Sequence, residues 1–138
     1  MEYVDGQTLA DAIQAGQFTD ARQILNIAIQ MAEALAEVHR SRIIHQDIKS
    51  HNVLVSSDAK IKLTGFEAAQ RLPVGEETVR SNCKTPSYNS PEQARFESIS
   101  QKTDLWSWGL TVLEMFTGGV TWLDGQVALQ ALDAHLEE

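Results

Sequence analysis

Asp47, Lys49 and Asn52 place a carboxylate, an amine and a carboxamide within one short run, His45-Gln46-Asp47-Ile48-Lys49-Ser50-His51-Asn52. The apolar triplet Val53-Leu54-Val55 follows at once, so the run reads as a tight loop that feeds a strand. An acid, a cation and a neutral oxygen donor on one loop is the layout that phosphoryl transfer needs. The same side chains are also of the kind that brace a loop through its own backbone. Either task requires neighbouring elements that hold the loop still.

Those elements are visible in the spacing of apolar residues. Thr8 with Asp11 resembles a capping box that opens a short helix closing near Gly16. Thr19 and Asp20 then supply a second start signal. Ile24, Ile27, Ala28, Met31, Leu35 and Val38 recur at three- and four-residue intervals, which predicts one apolar helix face through about His39. Ile43-Ile44, Val53-Leu54-Val55 and Ile61-Lys62-Leu63 are brief β-prone runs, with Ser56-Ser57-Asp58 as the hairpin turn between the last two. Residues 70–89 are polar, show no sustained period and read as a mobile loop. From 103 to 117 the chain is apolar on nearly every side, with Leu105, Trp106, Trp108, Leu110, Val112, Leu113, Met115 and Phe116, which predicts a helix buried all round. After Asp124 an amphipathic tail carries Val127, Leu129, Leu132 and Leu136.

Composition narrows the possibilities further. The chain has 138 residues, 43% of them hydrophobic, which fits one globular domain. No run approaches the roughly 20 apolar residues of a membrane helix, and no secretory leader pattern is present, so a cytoplasmic setting is expected. The single Cys83 reads as a free thiol. A net charge of −8 opposes binding to nucleic acid or anionic membranes, both of which depend on clustered lysine and arginine.

The loop resembles the catalytic loop of the protein kinase family, H-R-D-x-K-x-x-N, with Gln46 in the arginine position. Lysine two residues after the aspartate is similar to the serine/threonine class. The resemblance covers nearly all of the chain and implies an α+β, mainly helical fold: the C-terminal lobe of a kinase with short β-hairpins, its N-terminal lobe absent. It divides the chain into a hinge at 1–7, a core at 8–118 with catalytic loop 45–52 and activation segment 65–92, and a helical tail at 119–138.

By that resemblance ATP and magnesium are the cofactors, and a protein is the substrate or partner. Glu2 and Val4 would face adenine, with Met1 as gatekeeper and Leu54 beneath the ring. Asp47 would orient a substrate hydroxyl, Lys49 would neutralise the transferring phosphoryl group, Asn52 would hold magnesium, and Thr85 would contact Asp47 and Lys49. His45, Phe66, Glu92 and Asp104 would be structural. Phe66 would pack on His45, Asp104 would bond the catalytic-loop backbone, and Glu92 would pair with an arginine from a helix beyond this chain.

The chain departs from the pattern at Gly65-Phe66-Glu67, where the family has D-F-G. Gly65 replaces the metal-binding aspartate, and Glu67 stands two residues too late to substitute. Gln46 removes the cation that pairs with a phosphorylated activation loop, so phosphate on Thr78 or Ser81 would lack that partner. Lys84 stands where the substrate-positioning segment has glycine. No glycine-rich loop, V-A-I-K-type lysine or partner glutamate precedes the hinge. The expectation is a truncated serine/threonine kinase-like domain with impaired catalysis. A non-catalytic pseudokinase-type interaction module, or one piece of a split active kinase, are the alternatives.

Overall fold

The longest helix forms where the apolar spacing predicts it. In a computed structural model, which describes residues 6–81, 88–120, 122, 125 and 128–137, α2 spans Ala21–Arg40. The Asp20 carboxylate accepts from the N–H groups of Arg22 and Gln23, and the Gln23 side chain returns to the Asp20 N–H, a reciprocal cap. Ile24, Ile27, Ala28, Met31 and Leu35 are buried along one stripe. Each of the larger ones contributes about 1.5–3 kcal/mol by leaving water. The stripe packs on Leu9 and Ile13 of α1 (Leu9–Gln14) and on Ile48, Val53, Leu63 and Met115. Ile48 belongs to the polar loop itself, so the main core anchors the candidate site from below.

Three short strands cover this core. β1 (Gly6–Thr8), β3 (Val53–Ser56) and β4 (Ile61–Leu63) form an antiparallel sheet in the order β1-β3-β4, with Leu54 opposite both Thr8 and Lys62. Their hairpin turns at Ser56, whose hydroxyl bonds the Asp58 carboxylate and holds it below the usual carboxylate range. β2 (Ile43–Ile44) pairs with β5 (Gln70–Arg71), and β6 (Val79–Arg80) pairs with β7 (Ser98–Ile99). These two pairings correct the reading of 70–89 as a loop throughout. A two-residue strand carries no period to detect; it forms here because Ile44, Leu72 and Ile99 share a buried cluster with Val79 against it.

The short α3 (Pro91–Ala94) leads to α4 (Gln101–Thr117), capped at Ser100 and closed by Gly118 in the left-handed conformation, φ 83°. α4 is not buried all round. Thr103, Asp104, Ser107, Thr111 and Glu114 are buried, whereas Leu105 and Phe116 are 49% and 44% exposed. The buried polar groups are tolerated because each is hydrogen-bonded. Trp108 lies over α2 and donates its indole N–H to the Ala28 carbonyl at 3.0 Å, so it is a helix-to-helix tie rather than free surface. α5 (Ala128–Leu136) follows. Among the described residues no helix is long and apolar enough to cross a membrane.

Candidate functional site

Asp104 fixes one end of the 45–52 loop. A carboxylate in the first turn of a helix ordinarily serves that helix's own N–H groups. Asp104 is only 1% exposed and reaches across instead. Oδ2 accepts from the His45 N–H at 2.8 Å and from His39 Nε2–H at 2.8 Å, and Oδ1 accepts from the Gln46 N–H at 2.9 Å. Three donors satisfy a charge that would otherwise be costly to bury. Gln46 has φ 73°, and this left-handed turn brings two successive N–H groups onto one anion, as a backbone nest does.

His45 fixes the loop to the strand beside it. Nδ1 accepts from the Asp47 N–H at 3.1 Å, and Nε2 lies 2.8 Å from the Thr64 carbonyl. A carbonyl only accepts, so the proton resides on Nε2. The ring meets Phe66 with centroids 4.6 Å apart.

These constraints leave Asp47, Lys49 and Asn52 together. Asn52 Nδ2 donates to the Asp47 carbonyl at 2.8 Å and to Asp47 Oδ2 at 3.1 Å. Lys49 Nζ stands 3.6 Å from that same Oδ2, and the side chains of Lys49 and Asp47 are 24% and 19% exposed. The arrangement presents a reachable carboxylate beside a cation, able to take up a hydroxyl proton and to face an anionic group.

The magnesium implied by the resemblance does not fit. Gly65 has φ 77° and no side chain, and a Cβ built there would lie 2.3 Å from Asn52 Cγ. Glycine offers no carboxylate, and a side chain introduced at 65 would have to displace the end of the Asn52 side chain. Glu67 is exposed, Asp58 is turned to Ser56 on the hairpin, and no group of three or more His, Cys, Asp or Glu among the described residues could hold a metal ion.

Leu54 is half-buried on β3. Glu92 accepts from the Thr103 hydroxyl, in the first turn of α4, at 2.7 Å. Glu2, Val4, Thr85 and Cys83 lie outside the described residues. A groove of about 540 Å³ between β1, the β3–β4 turn and α2 includes none of residues 45–52, so it is distinct from this site.

Sequence reasoning missed a second anchor. Ser50 donates to Glu114 Oε2 at 2.9 Å, and the Tyr88 hydroxyl donates to Glu114 Oε1. Burial and the Glu114 carboxylate hold the Tyr88 hydroxyl above its ordinary pKa. Gln93 Nε2 also donates to the Gln46 carbonyl at 3.3 Å. The available signal was Glu114 itself, the one acid between Leu105 and Thr117, seven residues after Ser107. Seven residues are close to two full turns, so the two share one face.

The chain is 36% identical over 138 residues to the serine/threonine-protein kinase PrkC of Bacillus subtilis, covering 99% of this chain and 21% of that protein. To a protein described as a probable serine/threonine-protein kinase, PknB, of Bifidobacterium longum it is 37% identical over 121 residues, 86% of this chain and 18% of that one. It thus spans about a fifth of the length of the curated relatives it matches. The profile of the protein kinase domain matches residues 1–136, and with the loop geometry above this places the chain in the protein kinase family.

Proposed function

We propose that this chain is part of a serine/threonine-type kinase domain in which phosphate transfer from ATP to protein is strongly impaired, leaving the handling of a protein partner in the cytoplasm as its work. The observation that carries the reading is Gly65, which stands where the family has its metal-bound carboxylate.

The family uses ATP and magnesium with protein substrates. In this reading Glu2, Val4 and Leu54 contact adenine, Asp47 orients the substrate hydroxyl, Lys49 faces the phosphoryl group and Thr85 supports both. The proton-accepting and charge-neutralising residues persist. What is missing is stabilisation of charge on the transferring group, worth several kcal/mol, with about 1.4 kcal/mol per factor of ten in rate.

The test incubates the purified chain with labelled ATP, magnesium and a generic substrate such as myelin basic protein. The expected result is incorporation no greater than that of Asp47→Ala. Metal-dependent labelling that Asp47→Ala abolishes would overturn the proposal.

A further inference from the structure

A buried amide decides what position 81 can carry. Gln46 is 4% exposed, and its Nε2 donates to the Ala68 carbonyl, which can only accept. That bond fixes which way the carboxamide faces. Its Oε1 is therefore turned to Ser81, whose hydroxyl donates to it at 3.2 Å. Gln70 joins the same two stretches again, Nε2 donating to the Arg80 carbonyl at 2.7 Å, and Ile44, Leu72 and Ile99 form a buried cluster with Val79 against it. Residues 68–72 and 79–81 are thus fastened to each other, and to the 45–52 loop, by neutral groups.

We propose that Gln46 and Ser81 form a latch that reads position 81 for a hydrogen-bond donor, and that a phosphoryl group on the Ser81 oxygen opens it. Such a group comes from a nucleoside triphosphate bound to a separate modifying enzyme. The Ser81 oxygen bonds the γ-phosphorus, the bridging bond to the diphosphate breaks, and the hydroxyl proton leaves to a base of that enzyme. The product accepts where the hydroxyl donated. It meets Oε1 acceptor to acceptor at a half-buried position, where an uncompensated charge is costly. Arg80, the adjacent cation, is exposed on β6, so solvent screens what it offers an anion at 81. An anion here loosens the segment. The test needs neither nucleotide nor metal, so its result is separate from that of the labelling experiment above.

The experiment is hydrogen exchange on Ser81→Thr, Ser81→Ala and Ser81→Asp, each in the native chain and in Gln46→Arg, with α2 amides as the internal reference. In the native chain Ser81→Thr keeps the donor and changes exchange at 68–71 and 79–81 by less than about twofold, whereas Ser81→Ala accelerates it about tenfold and Ser81→Asp further still. With Gln46→Arg the order of the last two reverses, since a guanidinium donates where the amide oxygen accepted. Aspartate no faster than alanine in the native chain overturns the proposal. The same order in both backgrounds does so too, as does acceleration that α2 shares. If Ser81→Asp does not fold, a cooperative transition recovered by adding Gln46→Arg supports the latch, and its absence overturns it.

Discussion

Asp104 ties two segments to α4, since one buried carboxylate satisfies two backbone N–H groups and an imidazole. Asp104→Ala leaves those donors buried without an acceptor, a loss of about 3–5 kcal/mol. Thermal unfolding should show a drop of roughly 10–15 °C. Asp104→Asn should fall between, because an amide keeps one oxygen and turns an NH₂ toward a site that needs an acceptor. Tyr88 gives a second test, in alkali. Its folded pKa is raised by burial and by Glu114, whereas an unfolded tyrosine titrates near 10. Above about pH 10 the unfolded chain has given up this proton and the folded chain retains it, so stability falls as pH rises. Urea titrations from pH 8 to 11 should show a shallower decline in Tyr88→Phe than in the native chain.

At the scale of elements, the sequence announced what has a period or a motif. The α2 stripe, the Asp20 start, the β3–β4 hairpin and the 45–52 loop were all legible because each is specified within its own residues. β5, β6 and β7 were not, since two-residue strands are set by partners far along the chain. α4 was read as apolar on nearly every side and buried all round because periodicity counts side chains and does not see that Ser50, Tyr88 and the loop N–H groups need acceptors from it. The role of Gln46 was likewise hidden. Its Nε2 donates to the Ala68 carbonyl and its Oε1 accepts from the Ser81 hydroxyl at 3.2 Å, a neutral tie where the family's arginine would await a phosphate. Gln46→Met keeps length and removes both bonds. Hydrogen exchange is expected to accelerate about tenfold at residues 68–71 and 79–81, for a loss near 1.4 kcal/mol, while α2 amides stay unchanged. Uniform acceleration across α2 would show instead that the tie serves the whole fold.

For the whole molecule, 19 acidic against 11 basic residues leave a net charge of −8 on 138 residues. Self-repulsion of that excess opposes the compact state and is screened by salt. Raising sodium chloride from 20 to 300 mM should increase the melting temperature by about 2–4 °C. A decrease would mean that exposed ion pairs such as Arg40–Glu37 outweigh the net repulsion. The contact between positions 52 and 65 has a consequence in time as well as in space. Any side chain introduced at 65 has to push aside an amide that the Asp47 carbonyl and carboxylate hold, so substitutions at the two positions are coupled in the order in which they can be made.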